Sequence, residues 1–505
     1  MKAKLFALIL ALVFIAGALA SCTGGKPGDD TKDAPASSAP TESGTAGEKD
    51  EIGDYVREIA SEVDFSGRTF AYIGKDDTVY SNFPVKEQET GDISSDALYF
   101  RQRDIEEYFG VTWESVRTKD GDETGERVIN EVTAGGNSYD LAHGSTLTVG
   151  QFLLNAAVIR SADELQYVDL DRDWWISAMQ DCYSIGGRQF FLTGPIVVNN
   201  YLDSTCVLFN KNVTAMFGIS DDELYETVRD GKWTIDKMFE IASVIPENTA
   251  GVAGNGIWRY QQPDGISFIM SSGMKLTQFD EEGYPYVESS LPREISDLAD
   301  KICPVFSDNS QTIFVYIAKG ERDEEKYGTD HLEQFFIDDR VLFRFNVTHD
   351  VISMRTNDVR FGVLPMPKYN ENQKNYSTWA AIGWDSAVYI PKTVDSIRFT
   401  DVILEAMGAL GEKYIKDAYY DRLLRSQSIF DLDSRDMLDI IFSTKVYDMA
   451  GLYDNGGMNG YGDFLNAINN GIVYDSGNLA SGYKGNARYA NYMAKNLRKT
   501  VDKTE

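Results

Sequence analysis

The sequence predicts an α/β protein built around parallel sheet, and two observations carry that expectation. Between Thr69 and Ala142 strand-like apolar runs alternate with helical ones across short polar connections, a rhythm that lays parallel strands side by side with helices on the sheet faces. About 440 residues follow a polar leader, more than one compact core accommodates, so the body divides into two or three lobes.

The leader has its own logic. Lys2 and Lys4 precede an apolar run from Leu5 to Ala20 that stops just before Cys22, the pattern of a signal peptide over residues 1–21. The run falls short of the ~20 apolar residues that span a bilayer, and polar sequence follows at once. Leu19-Ala20-Ser21-Cys22 resembles the lipobox of bacterial lipoproteins, which implies lipidation at Cys22 and a place on the extracytoplasmic face of the bacterial cell membrane. Residues 23–50 lack Ile, Leu, Val, Phe, Tyr and Trp and cannot build a core. Residues 22–64 are therefore expected to form a lipidated, flexible tether.

Charge narrows the partners. The chain carries 79 acidic against 48 basic residues, a net charge of −31. A nucleic-acid binder shows the opposite sign, and an anionic membrane surface repels such a body, so membrane contact is expected through the lipid anchor alone. With Cys22 taken by lipid, Cys182, Cys206 and Cys303 remain. Three cysteines at those separations suggest neither a zinc site nor a disulfide scaffold, and buried small side chains are expected. No metal or cofactor is expected, and the chain is read as a monomer.

The body begins at Phe65. Thr69–Ile73 reads as a strand; Ser94 or Ser95 caps a helix from Asp96 to Phe109 that Gly110 closes. Val111–Trp113, Gly125–Ala134 and Tyr139–Ala142 continue as strand, helix and strand. Ligands of such sheets bind beyond the carboxyl ends of the strands, where the loops near Gly74 and His143 begin. Thr205–Asn210 is a further apolar strand; Ser220 with Glu223 forms a capping box, and Thr234 caps the next helix through Ile245. Helix and loop are expected from there to about Asp338, then strands over 341–345, 359–364 and 387–390. Helices over 400–410 and 434–442 dominate the end.

Several stretches, in this order, carry a family resemblance. Tyr167-Val-Asp-Leu-Asp-Arg-Asp-Trp-Trp175 precedes Ser184-Ile-Gly-Gly-Arg-Gln-Phe-Phe191. Asp203-Ser-Thr-Cys-Val-Leu-Phe-Asn-Lys211 is followed by Gly231-Lys-Trp-Thr-Ile-Asp-Lys-Met238, and later by Phe361-Gly-Val-Leu-Pro-Met-Pro-Lys368. With the lipobox, this series resembles the extracellular solute-binding proteins of family 1, the sugar-binding lipoproteins that serve ABC importers, over about Phe65 to Tyr453. The chain departs from them at Asn346-Val-Thr-His349-Asp350, where many members carry a tryptophan. The resemblance implies a periplasmic-binding-protein-like fold of two α/β lobes joined by crossing hinge strands, with a carbohydrate, and an oligosaccharide in particular, held in the cleft for delivery to permease subunits. Its boundaries place the first part of lobe one at 65–204, the first part of lobe two at 205–344, a return to lobe one at 345–395 and a helical part of lobe two at 396–505.

A secreted, acidic, aromatic-rich chain also fits a glycan-active enzyme, or a surface glycan-binding or sensory lipoprotein uncoupled from transport. There are three histidines and no His-Glu-x-x-His, nucleophile elbow, phosphate loop or dinucleotide fingerprint. Asp169, Asp171 and Asp173 open like a calcium loop, but Trp174 stands at the glycine position and Gln180 where the bidentate Glu belongs. No catalytic residue is assigned, and the expectation is a binder.

Flat rings beside polar groups suit the alternating faces and hydroxyls of sugars. The ligand candidates are Trp258 and Tyr260 in a glycine-rich loop; Trp379, Trp384 and Asp385 before the strand at 387; Tyr80 and His143 after early strands; Tyr201 and Asp203 before the first crossing; and His349. Trp174, Trp175 and Trp233 are read as structural.

Overall fold

The alternation of strand and helix is realised in two sheets. The computed structural model describes residues 50–75, 88–246, 252–258, 264–308, 310–315, 331–354, 357–381, 385–419, 432–453 and 463–502. These lie in one compact unit, Glu48–Glu505; the signal peptide, Cys22 and the tether up to residue 49 fall outside the described residues.

The first element corrects the expected tether. Helix α1, Glu51–Ser61, is capped by Asp50, whose side chain accepts from the Gly53 amide. Its apolar residues recur as Ile52, Tyr55, Val56 and Ile59, one helical face, and Val56 is fully buried. The helix thus takes up residues expected in the 22–64 tether, and it starts where the stretch without large apolar side chains ends.

Strand β1 (Thr69–Lys75), helix α2 (Ile93–Phe109), β2 (Thr112–Thr118), α3 (Gly121–Thr133) and β3 (Leu141–Gly144) follow as a parallel α/β run. Asp92, one turn earlier than the expected serines, caps α2 by accepting from Ser95 N at 3.0 Å, and Gly110 closes it at φ 66°. Its left-handed backbone is one that glycine adopts without steric cost.

The chain then enters a second sheet with β4 (Thr205–Asn210), followed by α4 (Asp221–Arg229), α5 (Ile235–Ala242), β5 (Ala253–Trp258), α6 (Asp264–Ser271), α7 (Arg293–Phe306), β6 (Thr312–Val315), β7 (Val341–Val347) and β8 (Phe361–Pro365). Strands β5 and β6 interrupt the stretch expected to be helix and loop; Gly254 and Gly256 weakened the signal of β5, since glycine lacks the side chain that marks a strand. Beyond β8 and a few shorter helices and strands along the chain, the later elements include β9 (Thr378–Trp379), β10 (Ala387–Tyr389), α8 (Ile397–Gly411), α9 (Leu432–Ser443), β11 (Lys445–Val446), α10 (Asp463–Val473) and α11 (Ser476–Val501).

The first sheet has the order β10-β3-β1-β2 and the second β6-β5-β7-β4-β8. Within the first, β10 alone runs antiparallel; within the second, β4 is antiparallel to both its neighbours. Two expected boundaries move as a result. Every residue of β4 is buried, and β8 covers one of its edges, with Val363 paired to Leu208, so residues 345–365 stay with the second sheet. The return to the first comes only at Ala387. Helix α8 also belongs to the first core, where Val402, Ile403, Ala406 and Leu410 pack with Phe70, Tyr72 and Ile105, instead of to lobe two. A β-carbon on Gly408 would meet Trp174 and Trp175 at 2.9 and 3.0 Å. Glycine there lets both indoles lie against the helix and donate to the buried Glu405 carboxylate.

Candidate functional site

Segments that lead from one sheet to the other meet at one junction among the described residues. Ala381 N donates to Asp203 O at 2.9 Å, Ala380 N to Val446 O at 3.0 Å and Thr348 N to Ser204 O at 2.8 Å. Four segments distant in sequence are thereby sewn together by backbone bonds.

Both sheets aim their carboxyl ends at this junction. In the first, Gly144 at the end of β3 pairs with Ala387 at the start of β10, beside Asp385. In the second, the parallel pairing of β5 with β7 starts at Ala253 and Val341, which brings Trp258 level with Asn346. The next residue, Val347, pairs with Thr205. Trp258 therefore ends a strand at the junction end of its sheet, not in a loop as the sequence suggested.

The polar side chains here are buried and paired. Lys445 Nζ lies 2.6 Å from the Asp203 carboxylate and 2.8 Å from Asn200 Oδ1. Burial pushes the Asp203 carboxyl up, and the Lys445 ammonium pulls against that rise. Asp385 accepts from Thr146 Oγ1 at 2.6 and 2.7 Å and from Tyr183 Oη at 3.1 Å. Its carboxyl is held well above the ordinary carboxylate range, first by burial and then by the charge of Asp203. Around them, Tyr447 Oη, Trp379 Nε1 and Thr205 Oγ1 are buried without a hydrogen-bond partner among the described residues. Such groups are costly in a sealed interior and are where a polar guest or ordered water gains most.

The junction gathers Tyr201, Asp203, His349, Trp379 and Asp385 from the ten candidates. Tyr201 presents its carbonyl to Thr348 Oγ1 at 2.9 Å, and its ring stacks on Tyr419 with centroids 5.7 Å apart. That face of the ring is already taken. Trp379, 1% exposed, forms its own short strand paired with β11. His349 is buried beside Asp350, Nδ1 to Oδ1 3.3 Å, and its amide donates to Leu202 O. His143 sits inside β3, paired with Val388, and not in the loop after it. Its ring is buried against Tyr72, and burial, aided by the Arg101 charge, lowers its pKa to about 4. Tyr80, Tyr260 and Trp384 lie outside the described residues, as does the side chain of Trp258.

Sequence reasoning missed Lys445, Thr146, Tyr183 and Tyr447. A lone lysine or tyrosine in a polar stretch gives no sign that it will meet Asp203 or Asp385 some two hundred residues away. The tryptophans read as structural are so placed: Trp233 is fully buried, with Nε1 donating to Pro365 O at 2.8 Å. Cys182, Cys206 and Cys303 are free and buried.

No protein-family model matches the chain, and neither does any curated protein. Solved structures do. UspC from M. tuberculosis matches with a TM-score of 0.54 at 12% identity, over 84% of this chain and 100% of that one. RafE from Streptococcus pneumoniae in its apo form matches with a TM-score of 0.52 at 14% identity, over 88% and 99%. The fold is that of the two-lobed solute-binding proteins. RafE, itself described as a solute-binding protein, has also been solved in complex with raffinose; that structure aligns at 15% identity over 84% and 99%, with a TM-score of 0.48. In a solute-binding fold the junction of crossing segments is the hinge, and the strand ends that face it border the cleft. Among the described residues no helix is long and apolar enough to cross a membrane.

Proposed function

We propose that this chain is a lipid-anchored, extracytoplasmic solute-binding protein that captures a carbohydrate, an oligosaccharide by preference, and delivers it to the permease of an ABC importer. The observation that carries the reading is the convergence of strand ends from both sheets on one hinge. There Trp258 ends a strand of the second sheet, and Asp385 stands two residues before the start of β10 in the first. A solute touching both sides stabilises the closed arrangement by its differential contacts, which is how binding drives closure. RafE, whose fold the chain shares, supports a sugar as the guest through its raffinose complex.

In this reading Asp203, Asp385 and His349 set polar acceptors and donors at the cleft floor, and Trp258, Trp384, Tyr80 and Tyr260 supply rings for sugar faces. Tyr201, Trp379 and His143 shape the floor from behind, since their rings are packed into protein. The lipid at Cys22 keeps the body beside its importer. Thermal-shift screening of the purified protein against a panel of neutral mono- and oligosaccharides tests the assignment: ligand that binds the native state raises the melting temperature. A panel that leaves it unmoved, alongside a shift with peptides, overturns the carbohydrate reading. Oligosaccharides recovered shortened after incubation overturn the binder reading in favour of an enzyme.

A further inference from the structure

Helix α11 runs 26 residues without an Asp or Glu, in a chain whose acids outnumber its bases 79 to 48. It carries five cations. At about 100° per residue, Lys484, Arg488, Tyr492, Lys495 and Lys499 fall in one stripe roughly 80° wide and about 22 Å long. All five are exposed, and Tyr492, 59% exposed, has the exposed ring of Tyr489 6.3 Å away. The opposite face, with Leu479, Tyr483, Ala487, Ala494 and Leu497, is buried against the body. Arg498 at the edge is engaged by Asp280 and Glu282, whereas the four cations of the stripe form no ion pair among the described residues.

We propose that this outer face of α11 docks on an anionic phospholipid bilayer. Charge complementarity is the first argument: basic residues close to an anionic leaflet each strengthen partitioning roughly fivefold, and the one acid in line with the stripe, the C-capping Asp502, accepts a hydrogen bond from Tyr284 Oη. The exposed tyrosines are the second, because an apolar ring with a polar tip suits the boundary between headgroups and acyl chains. A protein partner would instead ask for a packed apolar centre, which the stripe lacks. The rest of the body is strongly acidic and is repelled, but that repulsion is screened beyond about 8 Å at physiological ionic strength. Approach through α11 is thus the favoured one, and contact would orient the body over the membrane. The proposal draws on the lipid-anchor reading for proximity: a polar leader of some two dozen residues spans roughly 30 Å on average, so weak attraction suffices. It replaces the expectation that the membrane is touched through the lipid alone.

The test uses the unit Glu48–Glu505, free of lipid and signal peptide, sedimented with vesicles of equal phosphatidylglycerol and phosphatidylcholine, or of phosphatidylcholine alone. Wild type should bind the anionic vesicles only, and lose them in high salt. The quadruple variant K484E/R488E/K495E/K499E should bind at least about tenfold more weakly, with an unchanged melting temperature because the four side chains are exposed. Absence of binding, or equal binding by the variant, overturns the proposal. So does retention by soluble polyglutamate with none by vesicles, which would point to an acidic protein. Fatty-acid labelling of the whole chain at Cys22 is read separately, so loss of the anchor reading leaves this result standing.

Discussion

Lys445 Nζ stands 2.6 Å from the Asp203 carboxylate with side chains only 7% and 2% exposed, joining the segment that enters the second sheet to one 242 residues further along the chain. Removing one partner of such a buried pair leaves an uncompensated charge and typically costs ~3–5 kcal/mol. Asp203→Asn and Lys445→Met are each expected to destabilise by that order in urea unfolding. The double variant should cost less than their sum, because neither charge is then stranded. Singles within about 1 kcal/mol of wild type would show that the pair does not fasten the hinge.

Glu405 gives the pH dependence a definite sign. It is fully buried, accepts from Tyr55 Oη, Trp174 Nε1 and Trp175 Nε1, and burial pushes its carboxyl from 4.5 to about 7. Between those values the folded protein holds a proton that the unfolded chain releases. Its contribution is therefore full below 4.5 and is lost as pH rises through about 7. His143 works the other way: its folded value near 4 lies below the ordinary 6.5, so its contribution is present above 6.5 and lost as pH falls toward 4. The difference in melting temperature between wild type and Glu405→Gln isolates the carboxyl. Wild type should lose ground to the variant as pH rises from about 5 to about 8, and a difference that stays constant across that range contradicts the assignment.

Recognition is tested at the two tryptophans. A ring stacked on a sugar in a desolvated cleft costs on the order of 2 kcal/mol or more when truncated, some thirtyfold in affinity. A core tryptophan instead costs ~3–5 kcal/mol of folding stability. Trp258→Ala and Trp384→Ala are expected to weaken binding while melting near wild type. Early melting with normal affinity in the surviving folded protein would return both residues to the core.

For the anchor, Cys22→Ala should abolish fatty-acid labelling and leave an uncleaved or released chain. Labelling that persists in the variant removes the lipobox reading.

Local chemistry reached the sequence reader wherever one segment decided its own shape. Thr205 and Asn210 bound a strand because the run between them, Cys206-Val-Leu-Phe209, has no polar interruption and is wholly buried. Ser220 and Thr234 cap their helices through hydroxyls that accept from amides three residues on. Gly110 stops α2 because only its backbone turns left-handed without cost there. Asp203 and Asp385 were legible as candidates because acids beside apolar strands are conspicuous.

What the sequence could not decide was which segments meet. The edge of β4 is covered by β8 and not by a strand of the first sheet, and α8 fills the first core although it lies among helices of the second. Both choices depend on which fully apolar surface finds a complementary one, and apolar burial carries no address in the sequence. The same holds for Lys445, Thr146, Tyr183 and Tyr447, whose roles arise only when the crossings are drawn together. Composition and short-range pattern determined the α/β elements and their caps. The pairing of distant strands decided the hinge, because the hydrogen bonds that sew Asp203, Ala381 and Val446 into one junction have no local signature.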